Sequence, residues 1–194
     1  SSADLGYPVA GVGLTYNEGV FHQVLSDEGW QTEVYYGFNP RSMRMEHHPR
    51  VASVKIEGRD VILSAWQLNI KGQTGHVVPI YFADTNGNNN ERMWDDKICS
   101  VLYPSNHPYE RLTQEHVLGT GGVRVLDSLG FKNIDKYHLN EGHAVFAFVA
   151  RARGLRNDQA DKLKSNFVYT CHTPVEAGHD KFSFDDLNKA LKKE

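Results

Sequence analysis

Two short stretches of the 194-residue chain concentrate side chains that can bind ligands or move protons. The first is His138-Leu139-Asn140-Glu141-Gly142-His143, and the second runs Thr170-Cys171-His172-Thr173-Pro174-Val175-Glu176-Ala177-Gly178-His179-Asp180. Imidazoles and carboxylates grouped in this way serve metal ligation, acid–base work or hydrogen bonding to a hydroxyl-rich ligand. The spacing is not the His-Glu-x-x-His of a helical metal site, and the residues fall in turns rather than on one helical face. The same residue types also cap helices and close turns without any ligand. A polar sugar site and plain turn chemistry thus stand side by side, with metal the weakest of the three. Gly119-Thr120-Gly121-Gly122 is a third stretch of interest. Glycines can cradle a phosphate, but no strand precedes these, and inside a helical pattern they suit close packing.

The elements that position the two polar stretches are legible. Tyr137–Asn140 reads as a short strand entering the first, and Phe167–Thr170 as a strand entering the second. Helical spacing covers 109–129, 144–153 and 160–165. The second half therefore runs α, β, α, α, β, which argues for a parallel α/β sheet with its ligand edge at the strand C-termini. That arrangement places His143 and His172 at neighbouring strand ends, facing one cleft. In the first half, 7–16 reads as a buried strand, while 17–34 carries no clear pattern. An antiparallel meander is expected over 51–82, broken at Glu57-Gly58-Arg59-Asp60 and at Lys71-Gly72-Gln73-Thr74-Gly75. Asp84–Asn90 is a loop by composition and open to movement, and 91–102 reads as a helix ended by Pro104. Trp30 reads as a core aromatic and Asn39-Pro40 as a plain turn. Residues 1–5 look like the end of a helix stopped by Gly6, and 184–194 like a short helix with a solvated face. A chain that opens and closes in this manner reads as a piece of a longer protein.

Composition narrows the class. Hydrophobic residues make up 40% and charged residues 23%, as in an ordinary globular protein, and the formal net charge of -3 gives no footprint for nucleic acid or an anionic membrane. No apolar run is long enough to span a bilayer, and the first residues lack a signal peptide's pattern. Cys99 and Cys171 are too few for a disulfide framework, so a reduced, cytoplasmic setting is expected.

Several words of the sequence resemble those of the α-glucan phosphorylases. Phe21-His22-Gln23, Gly29-Trp30-Gln31 and Asn39-Pro40 are similar to that family's F-x-Q, G-W-Q and N-P, in the same order. Val101-Leu102-Tyr103-Pro104-Ser105-Asn106 resembles V-L-Y-P-x-N, and Arg111-Leu112-Thr113-Gln114-Glu115 resembles R-L-x-Q-E. Leu139-Asn140-Glu141-Gly142-His143 looks like L-N-(D/E)-x-H, and Tyr169-Thr170-Cys171-His172-Thr173 like Y-T-x-H-T. The words span 7–180, nearly the whole chain. Their wording is most similar to the shorter bacterial and archaeal type.

The resemblance implies a fold and a role. It implies an α/β chain forming part of the N-terminal Rossmann-like lobe of a two-lobed GT-B fold, 1–194 being a single fragment with the meander at 51–82 and an α/β part at 91–194. It implies an enzyme that transfers glucose from an α-glucan or maltodextrin to phosphate with retention. The lysine that carries pyridoxal phosphate, and the basic residues that hold phosphate, belong to the family's C-terminal lobe; no matching motif is present here, so the chain alone is expected to be inactive. His172 corresponds to the histidine whose side chain and backbone carbonyl meet the glucosyl unit at the reaction centre. Asn140, Glu141 and His143 correspond to the neighbouring word that lines the same sugar site, with Glu141 and Gly142 in place of the aspartate and threonine of animal enzymes. Ser105 and Asn106 fall on a gating loop, where His107 departs from an asparagine, and Asp180 falls near a carboxylate beside the glucose pocket. No metal is implied. A non-catalytic carbohydrate-binding or regulatory module derived from the same lobe is the alternative. A sugar-nucleotide-dependent synthase of the same fold fits the words less well. No pair of facing carboxylates marks a glycoside hydrolase.

Overall fold

The computed structural model describes residues 1–102, 104 and 107–192 of the chain. Its first half is built on one sheet. β1 (Gly11–Leu14) is followed by the hairpin β2 (His22–Leu25) and β3 (Gln31–Val34), then by the long strands β4 (Glu46–Ile56), β5 (Arg59–Lys71) and β6 (Val77–Asp84). The meander β4–β5–β6 is antiparallel as its alternation demands, and it extends beyond 51–82 at both ends. β1 adds to its far side in parallel with β6, giving the order β1-β6-β5-β4. Only Gly11–Leu14 of the apolar run at 7–16 is strand.

The second half carries the helices. α1 (Met93–Asp96) is a single turn, shorter than the helix expected over 91–102. α2 (Pro108–His116) passes through a π-helical turn, Val117–Gly121, into α3 (Gly122–Ser128). β7 (Tyr137–Asn140), α4 (Phe146–Ala152), α5 (Asn157–Leu163), β8 (Phe167–Thr170) and α6 (Phe184–Ala190) complete the order. β7 and β8 pair in parallel over four residues, from Tyr137↔Phe167 to Asn140↔Thr170. The molecule is thus a mixed α/β structure with parallel and antiparallel pairing. The parallel sheet expected of the second half is a pair of strands among the described residues.

The core lies between the meander and the α2–α3 helix. Val54, Ile56, Val61, Leu63 and Ala65 present one sheet face, and Val117, Val125 and Leu126 cover it. The glycines of the π turn permit this contact. A Cβ on Gly119 would lie 2.6 Å from the Ala147 backbone nitrogen, and one on Gly121 2.6 Å from Leu63 Cδ1. Gly122 would meet Val12 Cγ1 at 2.7 Å. Gly119, Gly121 and Gly122 are therefore packing residues sealed against helix and sheet, and they do not cradle a phosphate. A smaller cluster joins Leu112, Phe146 and Ala190, tying α2, α4 and α6 together.

Two further expectations are corrected. Trp30 is 73% exposed, because it sits at the end of a hairpin whose strands are exposed along nearly their whole length. The Asp84–Asn90 loop is fastened rather than loose. Asn90 Oδ1 accepts from the Ile62 N–H at 2.6 Å, Asn88 is buried with its amide on the Asp84 carbonyl at 2.9 Å, and Arg50 Nη1 donates to the Asn88 carbonyl at 2.7 Å. Asparagine side chains here replace the sheet's missing backbone partners.

Candidate functional site

The parallel pairing of β7 and β8 puts both polar stretches on the same sheet edge, and Glu141 joins them. Its backbone N–H donates to the Thr170 carbonyl at 2.9 Å, extending the ladder by one bond. The chain then turns sharply, with Glu141 at φ 62 and ψ -174, a region almost reserved for glycine. The turn folds the side chain onto the β8 edge, where Oε1 accepts from the backbone N–H groups of His172 and of Thr173, the latter at 2.8 Å. Burial opposes the carboxylate's charge, but these backbone donors outweigh it and hold its pKa below the usual value. Beside it, Asn140 Oδ1 and His172 Nε2 lie 2.7 Å apart. His138 Nε2 reaches Thr170 Oγ1 at 2.6 Å, two residues earlier along each strand.

His143 points into a second group. Its Nδ1 lies 2.6 Å from Arg111 Nη2, 3.2 Å from Glu115 Oε1 and 3.2 Å from Asp180 Oδ2. Arg111 and Glu115 come from one face of α2, an i,i+4 pair 3.4 Å apart, and Arg111 Nε is also 3.4 Å from Asp180. Glu115 is only 3% exposed. Burial first, then the hydrogen bond to Asp180, push its pKa up to about 8. Burial works against the charge of Asp180 too, but the bond from Glu115 and the charges of Arg111 and His143 prevail and lower its pKa. The opposite shifts leave the proton on Glu115 and the charge on Asp180. His143 is pushed down by burial and by Arg111, against the pull of Asp180. The group closes one wall of a small cavity of about 60 Å³ that Leu14, Tyr16 and Gln114 also line.

The site residues expected from sequence therefore fall into two adjoining groups. Asn140, Glu141 and His172 form one, His143 and Asp180 the other, and His172 does not line the cavity that His143 lines. Asn106, with Ser105, lies outside the described residues. Arg111 and Glu115 were missed as site residues, although their i,i+4 spacing and the R-L-x-Q-E word carried the signal. Ligand-type atoms of Glu115, His143 and Asp180, and of Glu141, Cys171 and His179, approach within 4.8 Å of one another. In the first set Arg111 already occupies the centre with its own positive charge, a poor setting for a cation.

A parallel strand pair whose two ends run into polar turns, beside an antiparallel meander, defines a mixed α/β protein. No family model matches the chain. Its full length is 36% identical to the maltodextrin phosphorylase of Thermococcus litoralis, of which it covers 24%. It is 32% identical to the glycogen phosphorylase of Mycobacterium tuberculosis over 97% of the chain and 23% of that protein. Against the glycogen phosphorylase of Aquifex aeolicus it is 30% identical over 94% of the chain and 27% of the relative. The chain belongs to the maltodextrin and glycogen phosphorylase family, and it spans about a quarter of the length of these relatives. No helix among the described residues is long and apolar enough to cross a membrane.

Proposed function

We propose that the chain is part of the N-terminal lobe of a GT-B α-1,4-glucan phosphorylase, 1–194 forming one fragment of that lobe. The parent converts α-glucan or maltodextrin and phosphate to glucose 1-phosphate with retention, in the cytoplasm. The observation that carries this reading is the Glu141 clamp. A glutamate in a glycine-like conformation fixes the backbone at His172 and Thr173, and Asn140 fixes the imidazole, so the edge of β7 and β8 is rigid before any sugar arrives. Rigid donors and acceptors are what a glucosyl unit needs if its contacts are to tighten as positive charge develops at the anomeric carbon.

In this reading His172 meets the glucosyl unit through its side chain and backbone carbonyl, while Asn140, Glu141, His143, Asn106 and Asp180 serve the same sugar from the two adjoining groups and the neighbouring loop. Pyridoxal phosphate and the phosphate-binding cations come from the complementary C-terminal lobe, and the chain performs no step through the cofactor by itself. The test is an assay of the isolated chain with maltodextrin and phosphate. No glucose 1-phosphate should form, and no cofactor absorbance should survive dialysis. Sustained phosphorolysis by the chain alone would refute the division of labour.

A further inference from the structure

The β4–β5 turn is built on a glutamate where such turns favour asparagine or glycine. Glu57 has φ 52 and Gly58 φ 82, the two left-handed residues of a type I′ hairpin closed by the Ile56↔Arg59 pair. A glutamate persists in that conformation where its surroundings over-determine it. Here they do. Its carboxylate accepts from Tyr109 Oη at 2.8 Å, Arg59 Nη1 at 2.9 Å and Arg92 Nη1 at 3.1 Å, and Lys189 Nζ lies 3.5 Å away. The Glu57 N–H donates to the Ala190 carbonyl at 3.0 Å, fixing the end of α6 beside the turn.

Around this hub lies a cavity of about 310 Å³, lined by Glu57, Arg92, Trp94, Tyr109, Glu110 and Lys189 among others. It shares no lining residue with the cavity at His143. Trp94 and Tyr109 form one apolar wall, their rings 23° from parallel with centroids 6.0 Å apart. Lys189 Nζ is held 4.3 Å from the Tyr109 ring centre. Arg92 and Lys189 are more than half exposed, which leaves N–H donors open to the cavity they line. Glu110 adds an acceptor.

The chemistry of this lining selects a ligand class. Two cations face two carboxylates, so no net field favours a free anion or cation. An aromatic wall bordered by fixed donors and acceptors suits a neutral, hydroxyl-rich ring, whose C–H face packs on the aromatics while its hydroxyls take the polar groups. We propose that this cavity is a second carbohydrate site, binding a neutral pyranose ring free or at the end of an oligosaccharide. The proposal does not rest on the role given to His172.

The test is a titration of the 194-residue chain with maltotriose, followed by NMR at the Trp94 indole N–H, with inorganic phosphate in a parallel experiment. Maltotriose should shift the Trp94 resonance saturably, and phosphate should not. Arg92→Ala and Lys189→Ala, both exposed and safe for the fold, should each weaken the response about tenfold, as expected for loss of one charged hydrogen-bond donor. His172→Ala should leave it unchanged. A silent Trp94, an equal response in the Arg92 and Lys189 variants, or a response to phosphate alone would overturn the proposal. The His172 imidazole resonance reports the strand-edge site separately, so failure at one site is distinguishable from failure at the other.

Discussion

Asn140 Oδ1 and His172 Nε2 lie 2.7 Å apart across the neighbouring ends of β7 and β8. An amide oxygen only accepts, so with this orientation the imidazole proton sits on Nε2 and Nδ1 is the open acceptor of the neutral ring. If His172 contacts the glucosyl unit, its part is positional. In a full-length enzyme carrying this chain, His172→Ala should lower kcat about a hundredfold, as when one transition-state contact is removed. Asn140→Ala should lower it less, about tenfold, by freeing the ring. The pH profile of kcat should keep its shape in both. Wild-type turnover in His172→Ala, or a moved pH optimum, would make the residue a turn former or a proton carrier instead.

The raised pKa of Glu115 makes stability depend on pH in a defined direction. Glu115 is raised from 4.5 to about 8, so the folded chain keeps a proton that the unfolded chain gives up. Its contribution is complete below about pH 4.5 and is lost as pH rises toward 8. His143 runs the other way, since its lowered pKa costs stability only as pH falls below its ordinary 6.5. The lowered Asp180 likewise acts only in acid, as pH falls below its ordinary 3.8. The window from pH 6.5 to 8 therefore isolates Glu115. Urea midpoints should fall across it in the wild type and stay flat in Glu115→Gln. A slope that survives the substitution would place the proton elsewhere.

Asp95 is fully buried and takes both Nε and Nη2 of Arg59, at 3.2 and 3.0 Å. Asp95→Ala leaves a guanidinium only 10% exposed facing a cavity, with Glu57 as its remaining partner. Loss of one member of such a pair costs about 3–5 kcal/mol, so the variant should unfold at a much lower denaturant concentration. Arg59→Met with Asp95→Leu, which removes both charges, should recover most of that loss.

The glycines of the π turn rank by what stands next to them. Gly119→Ala drives a methyl into the backbone nitrogen of Ala147, which cannot yield without moving α4, and should cost about 1–3 kcal/mol. Gly121→Ala clashes only with the tip of the Leu63 side chain, Val54 and Val117 standing at ordinary contact distance, and should cost less. Chemical denaturation of the two variants decides the order.

Much of this architecture was legible because local pattern and tertiary environment agree. The meander alternates, and Asn140-Glu141-Gly142 and His172-Thr173-Pro174 are turn words that end two short strands. The failures are tertiary. β2 and β3 are exposed on both faces, so no alternation marks them, and nothing local reveals that Trp30 has no core to enter. Asn88 and Asn90 look like mobile loop residues until the sheet edge they complete is in view. Arg111 and Glu115 announce each other by spacing, but His143 and Asp180 reach them from 28 or more residues away.

The π turn at Val117–Gly121 has a consequence for how this chain tolerates insertion and deletion. Each helical residue advances the azimuth by about 100°, and a π turn absorbs an extra residue without passing that rotation on in full. α2 must aim Arg111 and Glu115 at the strand edge while α3 aims Val125 and Leu126 at the sheet. Deleting a single residue from the turn should therefore let it relax to an ordinary α turn with both faces near their targets, whereas inserting one exceeds what the turn already absorbs and should swing one face away.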